Sequence, residues 1–564
     1  MGAEFDAIVV GAGPAGSAAS YYLASRGCDV LVLEKARVPG HRNVTGGVLY
    51  GSYEKGYGLL DLLPNFEAEA PLERRVVAQR VFLLSRAAEA NGESWWSYKE
   101  LDEKSLLTRL GLTGLDVSTG HDWTVLRARF DRWFAQKAEE AGAMIATEQT
   151  VEALLLENGR VTGVRTTKEE LKANVVIDAS GVTSKLVEQA GLRPRLQPED
   201  VYHGVKHVYQ LGEEEINRRF GLKGAQEGVA YTYLGHFMRG VTGGAFIYTN
   251  KDTLSVGIVA FLASLVKACT RHFDQVGKPL DLLEEFERHP MVAPLLEGAK
   301  LVEYSAHNIP KGPQAMLKEP LRDGFLVAGD ALGCFVKIGA LIDGIRRAIA
   351  TGIMAAQAYL RAKQLGDFTA AGLSLYRQLL APIYKDIARS RWNSLLTEGY
   401  VAYRLVPSLL FTLRLAQRRK GPARSAYQQQ DAIQRVQQRT GLLIYDEDKE
   451  YSHIRVNYER AARDPVKAWV PLCPVNCYTL VTPKGVFASF RDLYLYNLAL
   501  LREMGLRRPE REALRRTRQE IAQGAVRFDH VACVACGTCG TIGPPEAVDF
   551  GHEREGHGVR YSYG

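Results

Sequence analysis

The sequence predicts an α/β protein built on a Rossmann-like dinucleotide fold, with an inserted sheet domain and a cysteine-rich module towards its C-terminal end. Three observations point there. An apolar run leads through a glycine turn into a helix-like stretch and a second apolar run ending in an acid, Phe5 to Glu34. Two later strand-like runs, Val175–Ile177 and Phe325–Val327, each deliver an aspartate near a glycine. Five cysteines crowd the last hundred residues.

At 564 residues the chain is too long for one hydrophobic core, so about two or three domains are expected. A composition of 46% hydrophobic and 24% charged residues is that of a globular protein rather than a disordered one. No uncharged run reaches the ~18 apolar residues that crossing a bilayer takes. The longest candidate, Thr253–Val266, begins like a strand. The first strand begins almost at Met1, so no cleavable leader is expected. A net charge of +7 suits solubility and equally suits contact with anionic lipid.

The first motif spans two strands and their connection. Asp6–Val10 reads as a buried parallel strand, Ser17–Ser25 as a helix, and Asp29–Leu33 as a second strand. Between them, Gly11 permits a tight turn, Gly13 lets a pyrophosphate approach the backbone, and Gly16 lets helix pack on strand. Pro14 and Ala15 complete the turn, whose helix N-terminus offers N–H groups and partial positive charge to phosphates. Glu34 stands where a carboxylate accepts hydrogen bonds from a ribose, with Lys35 beside it.

The fingerprint alone does not separate NAD from FAD. The segments Val175–Gly181 and Gly324–Ala331 resemble the second and third motifs of the large FAD family that includes aromatic hydroxylases and geranylgeranyl reductases. The resemblance implies that Asp330, after Gly329, binds the ribityl chain of FAD, and that Asp178 and Gly181 shape the turn beside the nucleotide. It implies a helix from Gly339 to Ala358, including Ala340, aimed at the flavin. Arg127 matches an arginine that this family sets against the cofactor, the alternative being a solvated helix arginine. The loop Asn43-Val44-Thr45-Gly46-Gly47 matches a stretch that approaches the isoalloxazine, or is a plain turn.

Cys533, Cys536 and Cys539 follow at the spacing that wraps three corners of a cubane. Zinc sites more often use separated pairs of ligands, although zinc and a 3Fe-4S form stay open. Cys473, followed by Pro474, is the expected fourth ligand, and Cys477 its competitor. The reading is one 4Fe-4S cluster. Cys28, Cys269 and Cys334 are expected to be packing residues.

Together, the motifs give a more specific resemblance. From Phe5 to about Ala362 the chain resembles the flavoprotein half of electron-transfer-flavoprotein–quinone oxidoreductases, in particular the FixC-like branch. The loop Asn43–Gly47, Glu73-Arg74-Arg75 and Phe130–Gly142 carry the likeness. From about Trp469 onward it resembles the FixX-like ferredoxin companion, here in the same chain. The interval between Cys473 and Cys533 is longer than is usual there and holds the basic, helix-prone run Asn497–Ala525. Its arginines, Arg507 to Arg518, read as a docking surface or as a solvated helix face.

The resemblance implies an FAD-binding domain over residues 1–190 and 318–365 and an antiparallel quinone or substrate domain over 191–317. A helical region over 366–465 and a ferredoxin-like iron–sulfur domain over 466–564 would follow. Within the helical region, Gly399–Lys420 combines apolar residues with Arg418-Arg419-Lys420, which suits a helix in a membrane interface or a core helix.

The implied activity is transfer of electrons from a heterodimeric electron-transfer flavoprotein, through the cluster and FAD, to a membrane quinone. The chain would be peripheral on the cytoplasmic face and form the quinone-reducing arm of an NADH-dependent bifurcating complex. Nucleic acid has no part in it. The glycine turn is committed to FAD, so NADH is expected to react elsewhere, and the sequence names no general acid or base. The rivals are a geranylgeranyl-reductase-like enzyme and a relay subunit without turnover of its own.

Overall fold

The computed structural model describes residues 4–44, 47–90, 93–102, 104–109, 120–339, 341–397, 417–421 and 430–564. Phe5–Val10 lies in the middle of a parallel sheet, with Glu170–Asp178 on one side and Val30–Leu33 on the other. Phe325–Val327 extends the sheet beyond Glu170–Asp178, and Met144–Ala146 extends it beyond Val30–Leu33. The apolar residues of the inner strands are buried on both faces, as crossover connections require. Because these strands run the same way, Gly11, Glu34, Ala179 and Ala328 all emerge at one edge. That carboxyl edge is where open α/β sheets bind ligands.

The helix Pro14–Ala24 begins directly after the glycine turn, its proline tolerated because the first N–H groups of a helix have no intrahelical partner. A β-carbon at Gly16 would collide with the carbonyl oxygen of Gly11, so helix and turn approach as only glycine permits. The helix Ile345–Leu365 crosses it at Gly352, which lies against the Ala15 carbonyl.

The helix expected from Gly339 starts instead at Ile345. Residues Val336–Ile338 and Leu341–Asp343 form a hairpin, and Gly339 occupies its turn at φ +58. Asp343 then closes the helix start by pairing with Arg346 at 2.5 Å and with Arg347. Ala340, Thr45 and Gly46 lie outside the described residues.

The second sheet is larger than residues 191–317. Its path runs Lys300–Pro310, Val201–Gln210, Thr253–Phe261, Gly243–Thr249, Glu227–Gly235, Leu72–Ala90, Glu93–Leu101 and Gln417–Gly421. The sheet therefore takes strands from the stretch assigned to the cofactor domain, and Leu72–Ala90 pairs parallel with Glu227–Gly235. Arg74 holds this junction. Its buried guanidinium donates to the carbonyls of Asn250, Lys251 and Glu227 at 2.5, 2.6 and 2.9 Å.

The stretch 366–465 is not uniformly helical. Arg418, Arg419 and Lys420 sit in a strand paired with Trp95–Ser97, the last strand of this sheet among the described residues. The apolar part, Tyr400–Leu415, lies outside the described residues. Ile444–Asp446 and Ile454–Val456 pair with Gly558–Arg560 and Val548–Phe550, so the C-terminal module takes in strands upstream of residue 466. The run Asn497–Ala525 belongs to a helical hairpin, Phe490–Glu503 and Pro509–Gln523. Ser489 caps its first helix by accepting the Asp492 N–H.

One hydrophobic core serves both the second sheet and the C-terminal module. Phe273 packs on Phe490 and Tyr494 with ring centroids 6.4 and 6.1 Å apart. Among the described residues, no helix is long and apolar enough to cross a membrane.

Candidate active site

At the carboxyl edge of the parallel sheet a cavity of about 210 Å³ opens. Gly11, Gly13, Pro14, Ala15, Glu34, Lys35, Asn43, Gly47, Arg127, Gly181, Gly329 and Asp330 all line it. The strand order brings together residues more than 300 positions apart. Gly16 and Asp178 support the wall without lining it, and Gly339, in the hairpin turn, does not line it either.

Gly11 adopts φ +98 beneath Ala179, where a β-carbon would come within 2.6 Å of that residue's carbonyl oxygen. Gly13 differs. A β-carbon there would touch only the Asn43 amide, at 3.6 Å, because the glycine faces open cavity. The Glu34 carboxylate is fixed by the N–H groups of Ala12 and Ala36, at 2.9 and 2.8 Å, with further lone pairs free to accept. Asp178 accepts from the Ser180 N–H at 3.0 Å and from the hydroxyls of Ser180 and Ser184 at 2.6 and 2.5 Å, fixing the turn that leads to Gly181.

Arg127 is no solvated arginine. It begins the helix Arg127–Glu140, is buried, and pairs with Asp131 one turn on at 2.7 Å. Burial works against its charge, but the Asp131 carboxylate and, further off, Asp330 raise its pKa. Asn43 donates to the same Asp131 carboxylate, which ties Asn43 to this helix. Loss of water around Asp330 pushes its carboxyl up to about 6, with Arg127 pulling the other way. Glycines open on the cavity side, a held carboxylate at the end of the second strand, and an aspartate and arginine at the far wall fit an adenine dinucleotide.

The second sheet supplies the opposite wall through Lys206, Phe246, Tyr248 and His307, and the C-terminal module through Val534, Ala535 and His552. Burial lowers both imidazoles to about 3 and Lys206 to about 8. Val534 and Ala535 lie between two cysteines of the triplet, whereas Lys206, Phe246, Tyr248, His307 and His552 belong to no recognisable local motif. Only the tertiary fold brings them to the cavity. A smaller cavity of about 40 Å³ adjoins the first and shares Phe246, Tyr248, Val259 and Ile342 with it, adding Tyr202 and Lys337.

Cys473, Cys477, Cys533, Cys536 and Cys539 are all buried, within the shared core. The loop turns through Ala535 at φ +49 and Gly537 at φ +79. Cys473 Sγ accepts the Cys477 N–H at 3.2 Å, and Cys533 Sγ accepts the Ala535 N–H at 3.3 Å. Cys533 also has His453 Nε2 at 3.3 Å. Hydrogen bonding from Cys477, then the nearby His453, holds Cys533 well below the usual thiol value. Among the described residues, no three of His, Cys, Asp and Glu are arranged as ligands of a metal ion. The donor set is thus rich in buried sulfur and backbone N–H···S contacts without the convergence of a single-ion site. Cys28 and Cys334 are buried in the core around the parallel sheet, and Cys269 is buried in the same core as the five.

The fold and cavity define an FAD-binding oxidoreductase. Residues 6–289 match the family profile DAO, FAD dependent oxidoreductase. The chain is 40% identical over 377 residues to "Protein FixC" of Escherichia coli strain K12, covering 67% of this chain and 81% of that protein. It is 38% identical, with the same coverage, to "Probable electron transfer flavoprotein-quinone oxidoreductase YdiS" of the same organism. "Protein FixC" of Bradyrhizobium diazoefficiens is 38% identical over 68% of this chain and 83% of its own length. Among solved structures, a geranylgeranyl bacteriochlorophyll reductase-like protein of Thermoplasma acidophilum superposes with a TM-score of 0.51 at 20% identity. It covers 69% of this chain and 87% of that one, a likeness of fold. The chain belongs to the FixC and YdiS family of FAD-dependent oxidoreductases, flavoproteins of the electron-transfer-flavoprotein–quinone oxidoreductase kind.

Proposed function

We propose that the chain is an electron-transfer-flavoprotein:quinone oxidoreductase. Its electrons come from a heterodimeric electron-transfer flavoprotein, pass through one 4Fe-4S cluster and FAD, and reduce a membrane quinone. The quinone-reducing arm of an NADH-dependent bifurcating complex is the setting we assign to it, with the protein peripheral on the cytoplasmic face of the membrane. Cys473, Cys533, Cys536 and Cys539 would hold the cluster. Flavin and cluster supply the redox chemistry, interconverting paired and single electrons, while the protein binds, orients and insulates them.

One observation carries this reading. Val534 and Ala535, within the cysteine loop, line the cavity that Gly13, Arg127 and Asp330 also line. A cluster on those thiols would lie next to the flavin, as electron transfer between them requires. The adjoining aromatic slot around Tyr202, Phe246 and Tyr248 suits the flat ring of a quinone. Gly11 to Gly16 serve FAD, which leaves electron delivery to a partner protein.

The test is a steady-state assay of the purified chain with a quinone analogue. NADH alone should give negligible turnover, and NADH with the electron-transfer flavoprotein should give sustained quinone reduction. Rapid NADH–quinone turnover by the chain alone would show that the donor assignment is wrong. No quinone reduction with the reduced partner would leave a relay or an isoprenoid-reducing enzyme.

A further inference from the structure

The end of the C-terminal module runs along the cofactor cavity and grips its wall from outside. His552 lines the cavity itself. The next residue, Glu553, is buried, with its carboxylate 3.4 Å from Lys35 Nζ and 3.1 Å from Arg42 Nη1, while its carbonyl accepts the Thr150 hydroxyl at 2.8 Å. Lys35, Arg42 and Thr150 all face the cavity. Arg42 also donates to the carbonyls of Gly556 and His557. Further along, the Tyr561 N–H donates to the His41 carbonyl at 2.9 Å.

The last residues are held by a buried carboxylate on the second sheet. Glu303 accepts the N–H groups of Ser562, Tyr563 and Gly564 at 2.7, 3.1 and 2.8 Å. Three consecutive amides closing on one anion form a nest, and hydrogen bonds to a charged acceptor are the stronger kind. The far side of the tail meets the cofactor domain. The Tyr563 carbonyl accepts the Ala128 N–H at 3.3 Å, the Arg129 guanidinium lies 5.5 Å from the Tyr563 ring centre, and Lys206 Nζ donates to Gly564. Gly564 lies so close to the Asn43 carbonyl that a β-carbon would collide with it. Asn43, Arg127 and Lys206, which surround this contact, are themselves cavity residues.

We infer that the segment His552–Gly564 is the outer wall of the FAD site, and that Glu303 is the positioning residue that latches it. The tail braces the Asn43 loop and the start of the Arg127 helix, and Glu553 braces Lys35 and Arg42. Loosening the tail therefore loosens groups against which FAD is bound. Linkage makes the effect reciprocal: if the tail strengthens FAD binding, bound FAD holds the tail shut by the same factor. The inference rests on FAD occupying this cavity. It needs neither quinone, cluster nor partner, so it stands or falls apart from the proposed electron route.

The test uses the holoprotein and two variants, Glu303→Gln and a chain lacking Tyr561–Gly564. FAD release is followed by flavin fluorescence after dilution, with far-UV circular dichroism to establish that the fold is intact. Release should be about tenfold faster or more in both variants. On the wild-type chain, trypsin cleavage after Arg560, read by mass, should be slowed by a similar factor when FAD is bound. Release within about twofold of wild type in folded variants would mean the tail only joins two modules, and overturns the inference. Cleavage at the same rate with and without FAD overturns it as well, and decides the matter alone if the variants do not fold.

Discussion

The backbone N–H of Asn308 donates to the carbonyl of Cys536 at 3.1 Å, which bonds the cysteine loop directly to a strand of the cavity wall. Around that bond, the Asn308 side-chain oxygen accepts the Thr538 hydroxyl at 2.8 Å and its amide lies 3.3 Å from Thr541 Oγ1. Ser305, Ala306, His307 and Ile309, on the same strand, line the cofactor cavity. The spacing between thiols and cavity is thus set by a buried strand rather than by a linker. Inter-domain motion is the ordinary expectation for a small polar interface, and a shared apolar core removes it.

The two glycines of the turn should fail differently. Gly16→Ala forces a β-carbon into the Gly11 carbonyl, so the apoprotein should lose about 3 kcal/mol or more, and FAD with it. Gly13→Ala meets only Asn43 at 3.6 Å, so apoprotein stability should move by less than about 1 kcal/mol. FAD affinity should nevertheless fall about tenfold to a hundredfold, because the methyl group occupies space a phosphate needs. Denaturant unfolding of both apoproteins beside flavin titration separates the two outcomes.

Asp330 should make FAD binding depend on pH. Burial raises its carboxyl to about 6, above the ordinary value of 3.8, so the folded apoprotein holds its proton where the unfolded chain has lost it. On that account, apoprotein stability falls as pH rises through the window from 3.8 to about 6. With ribityl hydroxyls donating to the ionised form, the role that the family resemblance implies for Asp330, FAD affinity should move the opposite way. It should weaken below pH about 6, approaching tenfold per unit. Asp330→Asn should bind weakly and flatten the profile. An unchanged profile in that variant would remove Asp330 from the ribityl contact.

The legibility of this protein in its sequence follows the range of the interactions. The strand–turn–helix from Phe5 to Ala24 is a local unit whose glycines, proline and apolar run all favour one conformation, and it stands where those residues put it. Asp330 and Arg127 were reachable because each lies in a short motif next to its own strand or helix. The helix start at Gly339 was misplaced because a glycine at φ +58 closes a hairpin as readily as it precedes a helix. The strand Leu72–Ala90 joins the second sheet through pairings with residues some 150 positions later, which no local pattern encodes, and Glu93–Leu101 enters as the other arm of its hairpin. For the same reason Lys206, His307 and His552 gave no sign of facing one cavity.

The choice of fourth thiol can be settled by composition. Cys477 donates through its own N–H to Cys473 Sγ at 3.2 Å. An N–H···S contact of this kind tunes the sulfur of a cluster ligand, which assigns the ligand role to Cys473 and the supporting role to Cys477. Cys473→Ser and Cys536→Ser should therefore hold less than about one iron per chain, and Cys477→Ser about four. Iron and acid-labile sulfide analysis reads this out. Iron lost from Cys477→Ser but kept in Cys473→Ser would exchange the two roles, and stoichiometric zinc without sulfide would displace the cluster altogether.

The helical hairpin offers the last prediction, which concerns docking of the electron donor. Within Pro509–Gln523, Arg515 and Arg516 are both engaged by Glu512, at 2.7 and 2.9 Å, and Arg502 pairs with Glu510 at 3.0 Å. Arg507, Arg508, Arg511 and Arg518 are exposed, and the bend before them exposes Met504 and Leu506. Four exposed guanidinium groups at one end of the module attract an acidic partner and act mainly on the rate of encounter. Replacing Arg507, Arg508 and Arg511 by glutamate should lower the apparent second-order rate for the electron-transfer flavoprotein about tenfold or more at low salt. The difference should shrink as ionic strength rises towards about 0.5 M, where charges more than a few ångströms apart are screened. Flavin and iron content, and the rate with an artificial reductant that needs no docking, should stay at wild-type values. Equal rates with the partner in both chains at low salt would return this helix to the role of a solvated face and move the docking site elsewhere on the molecule.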